Sequence, residues 1–319
     1  MVNQRSKKKK TSRAKASWSR AEGRSKGTGN CKICKGAIRV GRKCRLGWIY
    51  PDRYQRKTCP ECYEDEECLA VSPSYTPDEC ATMLALIRDD FGRLLVKHGI
   101  NENEINKIGS PIDDSKPFHF YKDNAGTVGK PLKGYYSSKE WKKKHPGVSK
   151  QAPFSNFFST KDKLYEIQGS GKFKTTEDKP YEIQGTGKKF KTTEAMIMFW
   201  KALLMGDGTI ARCLGVYGDS LAGTMSKGLG RMVTPFDKTI WCPKVVAMYV
   251  TLIKWDQCPV FQAEMRRIHA EDYTSIHECS PNDSIWGTGS AVGEPLGSSN
   301  GVGGENILGK AQTTILQIV

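Results

Sequence analysis

The stretch from Thr192 to Gly206 constrains the fold most, because it predicts a helix that must be buried. The threonine at its start can serve as N-cap, and the glycine at its end can stop the helix. Its interior is apolar on every face except at Lys201. A helix that is apolar all round lies inside a core, so we expect the surrounding chain to pack around this segment.

The only charges of this helix are Glu194 and Lys201, which stand seven residues apart and therefore lie on nearly the same face, two turns from each other. Burying either charge costs several kcal/mol unless it is paired or used. Two interpretations remain open. In one, the helix dipole favours Glu194 at the N-terminus while Lys201 extends to water. In the other, both groups line a polar pocket and have shifted pKa values suited to chemistry.

The charge of the chain points to an anionic partner. The formal net charge is +16, and residues 1–30 carry ten Lys or Arg against one acidic residue. Nucleic acid is the partner expected first, and a membrane surface second. No apolar run approaches the roughly 20 residues of a membrane span, so we expect no membrane-spanning segment, and of the two anionic partners we predict nucleic acid and not a membrane. The tail before residue 29 is polar and basic, and we expect it to be disordered.

The N-terminus has no apolar segment of a secretory signal, which favours an intracellular location. The run Lys7–Lys10, followed by Arg13 and Lys15, is typical of a nuclear import signal or of an arm that binds nucleic acid, and the two are compatible. We therefore expect a nuclear protein. In a reducing compartment, eleven cysteines suggest metal binding before disulfides.

Two C-x2-C pairs predict a zinc site. The pairs are separated by 24 residues, a spacing that lets four thiolates surround one Zn²⁺ tetrahedrally. The predicted ligands are Cys31, Cys34, Cys59 and Cys62. Between them, residues 38–50 alternate apolar with basic residues, which predicts a strand or hairpin with a cationic face. We expect a small β-rich zinc finger over residues 29–68 that binds nucleic acid.

This segment resembles the zinc finger of poly(ADP-ribose) polymerases, which recognises DNA breaks. The family's third ligand is normally a histidine, and Cys59 stands in that place here. The resemblance covers about forty residues and implies a structural zinc ion and contact with DNA. The matching residues are Gly23-Arg-Ser-Lys26, Cys31 and Cys34, Ile38, and Gly41 with Arg45-Leu-Gly47.

Residues 69–150 predict one helix, which opens at Thr76 and Pro77, followed by an irregular linker rich in Gly, Pro and Lys. An internal repeat comes next: residues 165–177 recur as residues 181–194. One copy is too short for a solenoid, so we expect a duplicated strand–turn–strand unit. Only the second copy continues into the apolar helix. We therefore expect Glu194 to be the functional carboxylate and its equivalent in the first copy, Glu177, to have no role in the site.

Residues 151–319 resemble the NADAR family, N-glycosidases that act on ribosylated or ADP-ribosylated nucleobases and on intermediates of the riboflavin pathway. The segment 165–180 is extra, and the loop before Asn306 lacks a Trp-Arg pair expected in the family. The matching residues come in the family's order: Phe154-Ser-Asn-Phe157, Thr193-Glu-Ala, Lys201, Gly230-Arg231, Phe236-Asp237, Trp241, Ser280-Pro-Asn-Asp-Ser-Ile-Trp-Gly-Thr-Gly289 and Asn306-Ile-Leu-Gly309.

The resemblance implies an active site that can be related to residue types. Cleavage of an N-glycosidic bond develops positive charge at the anomeric carbon, which a carboxylate stabilises. Alternatively, a buried amine can attack that carbon. The predicted catalytic residues are Glu194, Lys201, Trp241 and Asp283, and the predicted substrate-binding residues are Asn156, Arg231 and Trp286. Trp241 would stack on a ring and Arg231 would pair with a diphosphate. No catalytic cofactor is implied.

We therefore expect an α+β protein with a helix-rich NADAR-like domain and a small β-rich zinc-binding module at the N-terminus. The function expected first is a hydrolase that removes ADP-ribose from modified guanine in nucleic acid, to which the finger directs it. One alternative is an N-glycosidase that acts on small ribosylamino-pyrimidine phosphates. The other is a protein that binds ADP-ribosylated nucleic acid without cleaving it.

Overall fold

A computed structural model describes residues 74–108, 110–160, 164–168, 188–295 and 303–319, together with the backbone of short strands outside these ranges. The chain divides into two compact units, Met1–Val71 and Ser72–Val319. Within the described residues, no helix is long and apolar enough to cross a membrane.

The first unit contains short antiparallel strands. Strand β4 pairs with both β1 and β5, and β2 pairs with β3. The predicted ligands Cys31, Cys34, Cys59 and Cys62 lie outside the described residues, so the zinc ion and the finger remain predictions. The strands are β1 (Glu22–Arg24), β2 (Gly29–Asn30), β3 (Ala37–Ile38), β4 (Lys43–Leu46) and β5 (Lys57–Thr58).

The second unit is a mixed, helix-rich α+β structure, in agreement with the fold class predicted for this part of the chain. Its helices are α1 (Pro77–His98), α2 (Glu102–Lys107), α3 (Lys139–Lys144), α4 (Thr193–Leu204), α5 (Gly208–Tyr217), α6 (Gly223–Gly230), α7 (Pro243–Gln257), α8 (Pro259–Ala270) and α9 (Ile307–Leu316). Its strands are β6 (Pro117–Tyr121), β7 (Asn124–Thr127), β8 (Lys130–Leu132), β9 (Tyr165–Glu166), β10 (Phe173–Lys174), β11 (Pro180–Tyr181), β12 (Lys189–Phe190) and β13 (Ser275–Glu278).

One four-stranded sheet has the order β13-β6-β7-β8, in which β13 runs parallel to β6 and the other pairs are antiparallel. Strands β6 to β8 come from the segment 101–150, which therefore differs from the irregular linker expected there. Phe118 and Phe120 on β6 are fully buried. The strands are only three to five residues long, and such short runs between Gly and Lys residues carry little periodic signal.

The helix predicted from the apolar stretch is α4, and its buried position is confirmed. It contacts α1, α5, α6 and α7, so that nine of its twelve residues are buried. The Thr192 hydroxyl accepts a hydrogen bond from the N–H of Ala195 and caps the helix, and Gly206 follows it with φ +69°. The stretch is apolar because helices surround it on several sides.

The repeat forms nested antiparallel pairs. Strand β9 of the first copy pairs with β12 of the second, and β10 pairs with β11. Residues 169–172, 175–179 and 182–187, which include Glu177, lie outside the described residues. Strand β12 ends two residues before the cap of α4, so the second copy leads directly into the buried helix.

Candidate active site

Glu194 lies in the first turn of α4 and is 5% exposed. Its N–H donates to the carbonyl oxygen of Asn156 at 2.9 Å, and the Thr193 hydroxyl donates to the Asn156 side-chain Oδ1 at 3.2 Å. An N-terminal turn leaves main-chain donors without partners inside the helix, and Asn156 satisfies one of them. The loop of residues 154–157 therefore fixes the helix end that carries the carboxylate.

Asp283 lies in the loop that follows β13. Its Oδ1 accepts hydrogen bonds from the N–H groups of Ile285 at 3.2 Å and Trp286 at 2.9 Å. These two contacts hold the carboxylate in a tight turn, and its Oδ2 lies 3.9 Å from the Nζ of Lys227. Asp283 is thus both a turn residue and one member of an ion pair at the candidate site.

The start of α9 holds this loop in place. The N–H groups of Asn306, Ile307 and Leu308 donate to carbonyl oxygens of residues 285–287. The Asn306 side chain binds β13 as a neighbouring strand would: its Oδ1 accepts from Glu278 N–H and its Nδ2 donates to Ile276 O, both at 3.0 Å. A Cβ on Gly309 would overlap the carbonyl of Ile276, so only glycine permits this approach.

Helix α6 supplies two cations, Lys227 and Arg231, the latter directly after its last residue. Lys227 is half-buried, and its Nζ lies 5.7 Å from the ring centroid of Phe157 as well as near Asp283. Arg231 is exposed. The helix packs closely on α4, because a Cβ on Gly230 would overlap the side chain of Met198.

The surroundings of Glu194 raise its pKa to about 7. Burial is the largest cause, because it disfavours the charged carboxylate. The nearby charges oppose one another: Lys227 lowers the pKa, Asp283 raises it and Arg231 lowers it. A carboxyl group whose pKa lies near neutrality is present in both protonation states at physiological pH and can exchange a proton with a substrate.

A third carboxyl group, Glu278 at the end of β13, was not predicted from the sequence. Its surroundings raise its pKa to about 8: burial is the largest cause, the charges of Asp283 and Glu194 also raise the pKa, and Lys227 and Lys254 lower it. Within the described part of the chain its Oε2 is shielded from solvent and has no hydrogen-bond partner. The signal available in the sequence was one charged residue at the end of the short strand that precedes Asp283.

Lys201 contacts the last residue of α6 and the loop before α7. Its Nζ donates to the carbonyl oxygen of Gly230 at 2.8 Å and lies 4.3 Å from the ring centroid of Phe236. Burial lowers its pKa. The carboxylates of Glu194 and Asp283 do not contribute to this shift. The cations that act on Glu194 are instead Lys227 and Arg231, which α6 supplies.

The aromatic residues predicted for the site lie at intermediate depth. Trp241, in the loop before α7, and Trp286, in the loop after β13, are both half-buried. Phe236 and Ile285 in the same two loops are exposed, at 42% and 47%. Lys201 contacts Phe236, in the loop before α7, and donates to Gly230 at the end of α6. Lys227, one turn before Gly230 on α6, approaches Asp283 in the loop after β13. The two loops therefore flank the same end of α6.

The contacts of Asn156 with the start of α4, and the charges of Asp283 and Arg231 that act on Glu194, place these four residues in one region. The arrangement offers acid–base chemistry beside two cations. Among the described residues, no group of three His, Cys, Asp or Glu side chains could hold a metal ion.

The comparison with protein families agrees with this geometry. The model of the NADAR domain matches residues 141–317, which is more than half of the chain and includes Asn156, Glu194 and Asp283. No curated protein matches the chain. The protein belongs to the NADAR family, which indicates hydrolase activity of the N-glycosidase type.

Proposed function

We propose that the protein removes ADP-ribose from modified guanine bases in nucleic acid, with water as the second substrate. The observation that carries the proposal is the buried Glu194, whose pKa is about 7, beside the two cations of α6. A carboxyl group in this state suits the charge that develops during cleavage of an N-glycosidic bond.

The proposed reaction breaks the bond between the anomeric carbon and the base nitrogen. Ionised Glu194 stabilises the positive charge on the sugar and accepts a proton from the attacking water. The base nitrogen leaves with the bonding electron pair, the water oxygen bonds to the anomeric carbon, and the proton that Glu194 accepted from water passes to the base nitrogen. Asp283, held by the N–H groups of residues 285 and 286, adds negative charge close to Glu194.

The cations and aromatic groups support a substrate that contains a diphosphate and a base. Lys227 and Arg231 both carry positive charge close to Glu194. Arginine and lysine are the residues that most often bind phosphate oxygens in proteins. Half-buried Trp241 and Trp286 would stack on rings, and the exposed ring of Phe236 offers a further face.

The proposal also includes the targeting predicted from the sequence. The basic tail and the cysteine pairs support delivery to DNA in the nucleus, with a structural zinc ion bound by the four cysteines. A chain without residues 1–71 is expected to keep cleavage of a nucleoside substrate and to lose affinity for DNA, because the compact unit Ser72–Val319 contains the candidate site.

The test uses a single-stranded DNA oligonucleotide that carries one ADP-ribosylated guanine, with release of ADP-ribose followed by chromatography. The full chain is compared with Glu194→Gln and Lys201→Ala, and with the control Lys238→Ala, which removes an exposed lysine. Release that is lost in Glu194→Gln supports the proposal. Trapping of an adduct by borohydride, lost in Lys201→Ala, would assign attack on the sugar to the amine instead of water.

Two results would overturn the proposal. Tight binding of the oligonucleotide without release would identify a protein that only recognises the modification. Release from a small ribosylamino-pyrimidine phosphate but not from the oligonucleotide or the ADP-ribosylated nucleoside would identify the metabolic alternative.

A further inference from the structure

Helix α7 contains a lysine that the proposed reaction does not use. The Lys254 side chain is fully buried, its Nζ donates to the carbonyl oxygen of Ser155 at 2.8 Å, and it lies 5.2 Å from the ring centroid of Phe261. Burial lowers its pKa to about 7. Because a buried ammonium is costly, an apolar side chain would fill this space more favourably unless the amine has a task.

The hydrogen bond of Lys254 joins it to the loop that fixes Glu194. Three consecutive carbonyl oxygens of this loop each accept from a different element. Phe154 O accepts from Gln312 Nε2 of α9 at 2.7 Å, Ser155 O from Lys254 at 2.8 Å, and Asn156 O from Glu194 N–H at 2.9 Å. Lys254 thus holds the peptide unit immediately before Asn156, from the side of the core.

Lys254 also interacts electrostatically with Glu278 at the end of β13. Two titratable groups act on its pKa: Cys258, which directly follows the last residue of α7, and Glu278 from β13, both of which raise it. In return, Lys254 lowers the pKa of Glu278. Nζ also contacts two uncharged groups, the carbonyl oxygen of Ser155 and the ring of Phe261.

We propose that Lys254 is a positioning residue of the reaction: through its hydrogen bond to Ser155 it holds the loop of residues 154–157 against the start of α4, and it interacts with the buried carboxyl group of Glu278. Through the loop, Lys254 positions the Glu194 carboxylate. Through its interaction with Glu278, it influences whether Glu278, which interacts with Glu194, is ionised. The inference rests on the proposed function for its effect on catalysis, whereas the coupling between Lys254 and Glu278 can be measured without any substrate.

The variant Lys254→Met removes the charge and the hydrogen bond but keeps an unbranched side chain. The matched control is Thr251→Val, one turn earlier on α7, whose buried hydroxyl has no hydrogen-bond partner within the described residues. We expect Lys254→Met to fold, to bind ADP-ribose within about threefold of wild type, and to lose kcat by about tenfold or more, because a displaced reacting group slows chemistry more than binding. Thr251→Val is expected to leave kcat, KM and binding unchanged.

The second measurement follows the carboxyl carbons by NMR in protein labelled at glutamate, and Glu278→Gln assigns the resonance of Glu278. In Lys254→Met this resonance is expected to titrate at higher pH than in wild type, whereas Thr251→Val leaves it in place. A purely structural lysine would lower stability without moving this titration. An unchanged titration, or an unchanged kcat in folded Lys254→Met, would overturn the proposal.

If Lys254→Met does not fold, the reciprocal measurement decides. Coupling between two sites is mutual, so Glu278→Gln must lower the pKa of Lys254, read from the carbon next to its amine. No shift would refute the pair. Failure of the proposed function would instead appear as absence of cleavage by the wild-type chain, and it would leave both NMR titrations unaffected.

Discussion

Replacement of Glu194 by Gln is expected to abolish activity and to stabilise the protein at alkaline pH. The folded state raises the pKa of this carboxyl group from 4.5 to about 7, mainly by burial. A shift of this size corresponds to roughly 3 kcal/mol between the two protonation states. Glutamine is neutral at every pH and avoids this cost.

The sign follows from proton binding. Between pH 4.5 and 7 the folded chain holds the proton of Glu194 while the unfolded chain has lost it, so the wild-type free energy of unfolding falls as the pH rises through this window. Below pH 4.5 both states are protonated, and Glu194→Gln should match wild type. At pH 8 the variant should be more stable by about 3 kcal/mol, as an upper value, or by several degrees in Tm.

Urea unfolding at pH 5 and pH 8, followed by circular dichroism, measures this difference. The control is Glu140→Gln, which removes an exposed carboxylate on α3 and should show no gain between the two pH values. If Glu194→Gln were as stable as wild type or less stable at pH 8, the carboxyl group would not be desolvated as the structure indicates. Its assignment as the acid–base group of the site would then lose its physical basis.

Three other perturbations give distinct expected results. Asp283→Asn removes a charge that raises the pKa of Glu194, so the acid limb of the pH–rate profile, in wild type near pH 7, should move to lower pH; a limb that stays in place or moves up would contradict the assignment. Gly309→Ala places a methyl group against the carbonyl oxygen of Ile276 and should lower the free energy of unfolding by about 2 kcal/mol. The control Gly92→Ala, at an uncrowded position of α1, should raise it by about 0.5–1 kcal/mol. Equal effects of the two variants in urea titrations would refute the close approach of α9 to β13. Phe236→Ala should raise KM for the modified oligonucleotide severalfold and leave Tm unchanged, and an unchanged KM would exclude the exposed ring from substrate binding.

The elements that were predicted well are those with a long apolar pattern. Helix α4 has a pattern of buried residues over three turns, with threonine before it and glycine after it, so its position and its depth follow from local rules. The start of α1 at Pro77 likewise follows from a local rule, because Thr76, where the helix was predicted to open, caps it. These features depend on neighbours in sequence.

The sheet could not be predicted in the same way. Strands β6 to β8 are short, and β6 is stabilised by its parallel pairing with β13, more than 150 residues later in the chain. The αL backbone of Asn306, with φ +52°, likewise has its reason in the edge of β13 that the side chain completes. Such pairings depend on tertiary contacts that no local window of the sequence contains.

The candidate site shows the same division. Glu194 could be predicted because a carboxylate at the start of an apolar helix is conspicuous. Lys254 stands in an equally apolar helix, so the argument applied to Lys201 should have been applied to it as well. Glu278 and Lys227 could not be recognised as partners, because only the fold brings the end of β13 and the last turns of α6 to the start of α4.

The charges of this site depend on one another. The carboxyl groups of Glu194 and Glu278 are each destabilised by burial, and the same cation, Lys227, lowers the pKa of both. Removing Lys227 would therefore raise both values together and leave less of the ionised Glu194 that the proposed reaction needs. A loss of activity in Lys227→Met would not by itself make Lys227 a phosphate ligand. The two roles separate in the pH–rate profile, because a lost phosphate contact raises KM at every pH, whereas a lost counter-charge moves the acid limb to higher pH and is overcome by adding base.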